Sequence, residues 1–309
     1  MYCLLTNDVE SISLVTNDLN LANAEKVYKV GLPRLLELYN KYNIKSTFFI
    51  TGEIVEKIPE LIKLIDINIH EIACHGYSHE TDEAFDILSL EDQKRQLIKA
   101  KSILEDLSGT EIISFRAPAL RVNNYTPKAL RETGFKVDSS IASQRFDFFL
   151  SFGSWKKLNR FLAPRKPYFT DENNLARRGN SEILEIPISA FFYPYIGTTL
   201  RIFPKITSIF RNILILETKI TGKPINFLTH PNEFMDEERN SRQVKRRTKN
   251  IISYLLADRL RYYLKLKNLG ISGLKLLENE IIILKKHGFE FITIKEYRDF
   301  FIKKENNYD

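Results

Sequence analysis

Cysteine is scarce in this chain of 309 residues. Only two occur, Cys3 and Cys74, and both lie in apolar runs typical of strands. Such cysteines are more often small buried hydrophobic residues than partners in a disulfide or a metal site. We therefore expect a reducing compartment, where disulfides are rare.

Long apolar runs are also missing. No uninterrupted apolar stretch reaches about 18 residues, the length at which a transmembrane helix is considered. The opening "MYCLLTNDVE" meets Asp8 and Glu10 before the cationic and apolar regions of a secretory signal could form. These absences predict a cytoplasmic protein.

Positive charge is concentrated in one part of the sequence. The net charge is +7, and residues 236–267 hold ten Lys and Arg against four Asp and Glu. Such a stretch is either a solvated helix face or a contact for an anionic partner, such as the phosphates of a sugar carrier or a lipid surface. No nucleic-acid-binding motif accompanies it, so nucleic acid is not expected. A peripheral position at the inner membrane face is compatible with this charge.

Short apolar runs alternate with helical segments along the whole chain, and this alternation predicts an α/β fold with a parallel sheet or barrel. One helix is marked by Ser89 as its cap, Asp92 three residues later and Gly109 as its end. The predicted strands are YCLLT from residue 2, KSTFFI, IHEIAC, EIISF, FKVD, EILEIPIS, INFLTH and FEFITI.

Two regions interrupt the alternation. Residues 140–180 are rich in aromatic and basic residues, and residues 190–285 are mostly helical and basic. Because strand patterns resume after each, we interpret both as insertions in one domain that covers residues 1–309.

The stretch "HGYSH" contains two of the five histidines, His75 and His79. Side chains four residues apart can lie on the same side of a turn and bind one metal ion. The alternative is a pair of polar residues in a loop that is rich in Gly and Ser. The pair alone does not decide between them.

Polar residues follow several of the predicted strands. The carboxyl ends of parallel strands meet at one rim, where the active sites of βα barrels lie. An acidic ligand, Asp8 or Glu10, is therefore available to the histidine pair. The rim residues are Asp8, Glu10, His75, His79, Arg116, Asp138 and His230.

Seven motifs resemble, in order and spacing, those of the polysaccharide deacetylases, carbohydrate esterase family 4. They are LLTNDVE, STFFITG, HEIACHGYSH, SFRAPALR, KVDSS, INFLTHP and HGFEFITIKEY. The resemblance implies a distorted (β/α) barrel of about seven parallel strands with helical and loop insertions. It also implies removal of an N-acetyl group from an amino sugar with a divalent metal ion, usually zinc.

The resemblance also implies a role for each matching residue. His75 and His79 would bind the metal ion together with an acidic residue, while a second acidic residue acts as general base. His230 would be the general acid, Arg116 would orient the base, and Asp138 would support the acid histidine.

The first motif departs from the family pattern of two adjacent aspartates, because this chain has "NDVE". We predict Asp8 as the base and Glu10 as the ligand, since residues two apart in a strand face the same side. In the alternative, Asp8 is the ligand and Asn7 occupies the base position. The third motif departs too, because Ala119 follows Pro118 where an aromatic residue is common.

The leading hypothesis is thus a cytoplasmic, metal-dependent sugar N-deacetylase that acts on a precursor of a surface polysaccharide. Its partner would be an N-acetylated saccharide or sugar carrier. One alternative is an amidohydrolase for a non-sugar C–N bond. Another is a non-catalytic glycan-binding protein that lost its base, which Asn7 would explain.

Overall fold

A computed structural model describes residues 1–14, 18–143, 162–237 and 260–306. The described chain contains one large curled sheet and a two-stranded sheet, surrounded by helices. The strands are β1 Tyr2–Val9, β2 Ser46–Ile50, β3 Glu71–Cys74, β4 Ser114–Phe115, β5 Val137–Asp138, β6 Tyr168–Asp171, β7 Asn174–Arg178, β8 Leu184–Glu185, β9 Ala190–Phe191, β10 Tyr193–Pro194, β11 Ile225–Thr229 and β12 Glu290–Phe291.

Helices connect most of the strands. The α-helices are α1 Leu21–Lys26, α2 Leu32–Lys41, α3 Gly52–Lys57, α4 Glu60–Lys63, α5 Leu90–Ser108, α6 Thr126–Glu132, α7 Gly197–Ile202, α8 Pro204–Thr221, α9 Leu260–Lys265, α10 Ile271–Lys286 and α11 Ile294–Glu305. A π-helical segment, Val27–Gly31, joins α1 to α2, and short 3₁₀ turns occupy Pro118–Leu120 and Pro231–Phe234.

The strand order in the large sheet is β11, β1, β2, β3, β4, β5, β8, β6, β7, and β12 also pairs with β1. Every pair from β11 to β8 is parallel, which gives seven neighbouring parallel strands. The predicted fold class is confirmed, and each predicted strand coincides with an observed one. The antiparallel strands β6 and β7 were not predicted, and they lie in the region that the sequence indicated as a loop excursion.

The two ends of the parallel run come together after β8. The Ser189 N–H donates to the Asn226 carbonyl at 2.9 Å, and the Asn226 N–H donates to the Ser189 Oγ at 3.0 Å. The Asn226 side chain also donates to the Ile186 carbonyl at 3.0 Å. These bonds join the segment after β8 to β11, so the curled sheet encloses an interior.

The helix predicted after Ser89 is confirmed as α5. The Ser89 hydroxyl accepts the Asp92 N–H at 3.2 Å, which satisfies one unpaired donor of the first turn. Gly109 follows the helix with φ +68°, a left-handed conformation that glycine adopts without strain. Both boundaries therefore follow from the local sequence.

Alternate residues of β1 face two different apolar clusters. Cys3 and Leu5 belong to the outer cluster, which packs between the sheet and the helices. Leu4 belongs to the inner cluster, which Ile294 and Tyr297 of α11 close from below. The next residues of β1 on the inner side, Thr6 and Asp8, are polar, and they line the interior beyond the inner cluster.

Parts of two sequence predictions lie outside the described residues. Residues 238–259 hold most of the basic stretch 236–267, and residues 144–161 belong to the predicted insertion 140–180. The single domain with insertions at 140–180 and 190–285 stays a prediction. Both cysteines are buried and free. Among the described residues, no helix is both long and apolar enough to span a bilayer.

Candidate active site

Glu10, His75 and His79 meet at the rim of the curled sheet. One ligand atom from each lies within 4.8 Å of the others. The Oε2 atom of Glu10 is 3.2 Å from the His79 Nε2 and 3.8 Å from the His75 Nε2. Glu10 follows β1 and the two histidines follow β3, so strands separated by β2 bring these three side chains together.

Backbone contacts fix the orientation of the His75 ring. Its Nδ1 lies 2.8 Å from the Arg116 carbonyl, so the tautomer with a proton on Nδ1 makes a hydrogen bond there. That bond leaves the Nε2 lone pair directed towards Glu10, which is the usual arrangement of a metal-binding histidine. Burial disfavours the imidazolium form and lowers the pKa of His75, although Asp8 and Glu10 oppose this effect.

The loop that carries the histidines turns at Gly76. Its φ is +72°, and an added Cβ would lie 3.2 Å from the Pro118 ring and 3.3 Å from the Phe85 ring. The N–H groups of Gly52 and Glu53, at the start of α3, donate to the loop carbonyls of residues 76 and 77 at 3.0 and 2.7 Å. A glycine is therefore required for both the backbone conformation and the close packing.

The three side chains fit a divalent metal ion. Among the described residues, the buried Oε2 atom of Glu10 has no hydrogen-bond donor. A buried carboxylate oxygen without a donor is costly unless a cation compensates it. Two imidazole nitrogens and one carboxylate form a common donor set for zinc in sites that keep a position open for water or substrate.

Asp8 lies between the histidine pair and His230. Its Oδ1 accepts a hydrogen bond from the Arg116 Nη1 at 2.7 Å. Its Oδ2 is 3.7 Å from the His75 Nε2 and 3.9 Å from the His230 Nε2. Burial raises the pKa of Asp8, but the nearby charge of Arg116, with smaller effects from the histidines, leaves that pKa below its usual value. Asp8 is thus a carboxylate that can accept a proton at the centre of the site.

Arg116 is completely buried and fully engaged. Besides Asp8, its guanidinium donates to the Thr6 hydroxyl at 3.0 Å, and to the Ser139 hydroxyl and carbonyl at 2.9 and 3.0 Å. It lies over the Phe49 ring at 4.1 Å. This network holds the Asp8 carboxylate in place. The role that the family resemblance implies for Arg116, orientation of the base, stays a prediction.

Asn7 faces the opposite side of β1. Its Oδ1 accepts hydrogen bonds from the Tyr39 hydroxyl at 2.8 Å and the Thr229 hydroxyl at 2.7 Å. Its Nδ2 donates to the Ser46 hydroxyl at 2.6 Å. These contacts direct Asn7 towards α2, away from Glu10 and the histidines, so the structure does not bring Asn7 into the candidate site.

His230 follows β11 and has an acidic neighbour in the next turn. The His230 Nδ1 is 3.9 Å from the Glu233 Oε2, and the His230 N–H donates to the same oxygen at 3.3 Å. Burial alone would lower the pKa of His230, but the hydrogen bond and charge of Glu233, with Glu10 and Asp8, raise it to about 9. His230 is therefore protonated at neutral pH.

Glu233 is itself held by Arg201 of α7. The Arg201 Nε and Nη2 donate to the Glu233 Oε1 at 3.2 and 3.0 Å, and both side chains are almost completely buried. Burial raises the pKa of Glu233, but the charges of Arg201 and His230 lower it to about 2. Arg201 also donates to the carbonyls of Lys265 and Lys267. The buried ion pair of Arg201 with Glu233 thus lies next to the His230 ring, on the side of its Nδ1 atom.

Asp138, predicted to support His230, has other partners. It accepts hydrogen bonds from the Ser140 hydroxyl at 2.7 Å and the Ser140 N–H at 3.2 Å. It faces Glu185 across the pairing of β5 with β8. Burial raises the pKa of Asp138, and burial together with the Asp138 charge raises that of Glu185 well above its usual value. The structure places Glu233 beside His230 instead.

Sequence reasoning missed Glu233, Arg201 and Ser139. Glu233 had a local signal, because in "THPNEF" it lies three residues after His230, a spacing that brings side chains together in a helical turn. Arg201 had none, since its pairing with Glu233 depends on the packing of α7 against the turn after β11.

Known proteins resemble this chain in sequence. Residues 16–137 match the family model of the polysaccharide deacetylases. A peptidoglycan deacetylase from Helicobacter pylori is 34% identical over 164 residues, which are 52% of this chain and 53% of that protein. The chain thus spans about half the length of that relative. The predicted resemblance to the polysaccharide deacetylase family is confirmed.

Solved structures resemble this chain in fold. A probable polysaccharide deacetylase from Pseudomonas aeruginosa PAO1 has a TM-score of 0.56 at 15% identity, covering 95% of this chain and 89% of the other. An allantoinase has a TM-score of 0.57 at 15% identity, covering 95% and 88%. At these identities the likeness establishes the fold alone.

Proposed function

We propose that this protein is a metal-dependent hydrolase that removes an N-acetyl group from an amino sugar. One observation carries the proposal: Glu10, His75 and His79, which could hold a metal ion, lie next to the carboxylate of Asp8, which is within 3.9 Å of the imidazole of His230. Zinc is the expected ion, because the donor set is the type that zinc prefers. The relation to polysaccharide deacetylases supports a sugar amide as substrate.

The residues of the chain divide the work of amide hydrolysis. Glu10, His75 and His79 would hold a divalent ion, which would supply Lewis acidity that lowers the pKa of water and polarises an amide carbonyl. Asp8 accepts the proton of the attacking water as its oxygen adds to the acetyl carbon. When the C–N bond breaks, His230 gives its proton to the departing nitrogen, which leaves as an amine. Positioned acid–base groups of this kind contribute rate factors of about 10² to 10⁴.

Arg116 and Glu233 influence the protonation states of Asp8 and His230, respectively. Arg116 keeps Asp8 ionised, and therefore able to accept a proton at neutral pH. Glu233 keeps His230 protonated, and therefore able to donate one. The base and the acid thus start in the protonation states that hydrolysis requires.

Two further functions stay open. Hydrolysis of a non-sugar C–N bond is the enzymatic alternative predicted from the sequence, and an allantoinase of similar fold supplies a substrate with which to test it. A non-catalytic glycan-binding role was motivated by Asn7, and the contacts of Asn7 with Tyr39 and Thr229 weigh against it, because Asp8 and not Asn7 lies in the site. A cytoplasmic location and a precursor of a surface polysaccharide as substrate remain predictions from the sequence.

The test compares acetate release from N-acetylated sugars by wild-type protein, Asp8→Asn and Glu60→Gln. Glu60 is an exposed glutamate of α4 and serves as the matched control. The substrates are N-acetylchitooligosaccharides, a nucleotide-linked N-acetyl sugar and a lipid-linked one, and metal content is measured in parallel. We expect acetate from wild type and Glu60→Gln, and a loss of roughly 10²-fold or more in Asp8→Asn. A metal-loaded protein that releases acetate from none of these sugars, but opens the allantoin ring to allantoate, would move the assignment to the non-sugar bond.

A further inference from the structure

Helix α8 is apolar on the side that faces away from the core. Ile206, Ile209, Leu216 and Ile220 are 44, 61, 58 and 75% exposed. Their spacing of three, seven and four residues places them on one side of the helix. The opposite side packs inward through buried residues that include Leu214. We call these four exposed residues the outer stripe.

The outer stripe is long for an exposed apolar surface. From residue 206 to residue 220 it extends about 21 Å at the rise of an α-helix. Exposed apolar residues that occur singly are common, but contiguous patches mark contact sites. This arrangement therefore indicates a surface that another apolar phase covers.

The exposed charges that α8 itself carries are positive. Lys205 and Lys219 of α8 are exposed. The single acidic residue of α8, Glu217, is neutralised by hydrogen-bonded ion pairs with Arg165 and with Lys223, the latter at 3.0 Å. The helix thus presents apolar residues and cations without an uncompensated anion.

We propose that α8 docks on the surface of a bilayer that contains anionic phospholipids. The outer stripe would enter the headgroup layer, while Lys205 and Lys219 contact lipid phosphates. Amphipathic helices bind membrane surfaces through these two contributions. A second copy of the chain is a poorer fit, because its α8 would bring the same cations and no acidic partner. The proposal is independent of the catalytic assignment.

Docking would hold the active site close to the lipid. α8 begins two residues after α7 ends, and Arg201 of α7 binds Glu233 next to His230. The first turn of α8 is therefore connected to the rim of the site through one short helix. A lipid-anchored saccharide would be within reach of a site placed in this way.

The experiment is sedimentation of the full chain with vesicles of phosphatidylglycerol and phosphatidylcholine, or of phosphatidylcholine alone. The variant Ile209→Ser/Leu216→Ser/Ile220→Ser removes the outer stripe. Ile98→Ser is the matched control, because Ile98 is 56% exposed on α5. We expect wild type and the control to bind the anionic vesicles. The affinity of the triple variant for these vesicles should be lower by a factor of roughly ten or more.

A second variant, Lys205→Gln/Lys219→Gln, tests the electrostatic part without changing apolar packing. We expect its affinity for anionic vesicles to be lower than that of wild type by a factor of roughly five or more. The affinity of wild type should also decrease as the salt concentration is raised. Wild type that sediments with no vesicle would overturn the proposal. Vesicle binding that is retained in the triple variant but lost when the basic residues of 236–267 are replaced would also overturn it. So would light scattering that shows a dimer for wild type and a monomer for the triple variant.

Discussion

Two histidines approach the same oxygen of Asp8 from different strands, yet their environments assign them opposite protonation states. The Nε2 atoms of His75 and His230 lie 3.7 and 3.9 Å from the Asp8 Oδ2. The His75 Nδ1 contacts the neutral carbonyl of Arg116, whereas the His230 Nδ1 faces the carboxylate of Glu233. Burial lowers the pKa of His75, whereas at His230 the charge of Glu233 outweighs burial and raises the pKa to about 9. These environments suit His75 to a neutral ligand role and His230 to an acid role.

The largest effect should come from His75, the histidine proposed to bind metal. If the proposed metal site is correct, His75→Ala and Glu10→Ala should lose tightly bound metal and, with it, detectable hydrolysis, because each removes one of the three candidate ligands found among the described residues. His287→Ala is the control, since His287 is exposed. Elemental analysis of untagged protein measures metal per chain. Metal that is retained in Glu10→Ala and lost in His75→Ala would move the acidic ligand to Asp8.

Removal of the other histidine should leave the metal in place. We expect His230→Ala to keep wild-type metal content while kcat falls by about 10² to 10⁴, because only the proton donor is lost. Metal analysis and single-turnover acetate release on the same samples measure both properties. A loss of metal with His230→Ala would contradict the difference between the two histidines.

The carboxylate behind His230 should control the pH profile. His230 must be protonated to act as an acid, so activity should fall as the pH rises through its pKa of about 9. Glu233→Gln removes the charge that raises this pKa, so we expect the loss of activity at high pH to begin about one to two pH units lower. The pH dependence of kcat measures the change.

A control variant and the shape of the pH profile test whether Glu233 acts through the pKa of His230. Glu237→Gln changes a glutamate that pairs with the exposed Lys26 and should leave the profile unchanged. A Glu233→Gln profile that is lower at every pH but has the same midpoint would indicate a structural role alone.

The smallest effect should come from Asp138. Because burial raises the pKa of Asp138, Asp138→Asn replaces a carboxyl group whose ionised form is already disfavoured. We expect activity to fall by less than about tenfold and the high-pH limit to stay in place, since Glu233 and not Asp138 faces His230. A shift of that limit in Asp138→Asn would restore the supporting role that the sequence resemblance implies.

Local patterns were sufficient to predict most of the framework. The parallel strands follow short apolar runs, and the strand ends carry polar residues that the topology gathers at one rim, as with Glu10 and His75. The side of β1 that Asp8 and Glu10 share followed from the two-residue period of a strand. These predictions needed no knowledge of long-range packing.

Long-range pairing was not predictable in the same way. The contact of Arg201 with Glu233 joins residues 32 apart across two helices and a strand. The partners of Asp138 depend on β8, whose alignment with β5 no local pattern specifies. The strands β6 and β7 were not predicted from the sequence, because the aromatic and basic composition of 140–180 obscures any alternation of apolar and polar residues.

The polar contacts of Asn7 have a consequence for how reliably the site assembles. Sliding β1 by one position against its neighbours would turn Asp8 and Glu10 towards the helices and bring Asn7 and Val9 to the rim. Such a slip would bury two carboxylates among apolar side chains and break the bonds of Asn7 to Tyr39, Thr229 and Ser46. Asn7, the residue directly before Asp8, thus stabilises the observed alignment of β1 and disfavours the shifted one, in which neither carboxylate reaches the histidines.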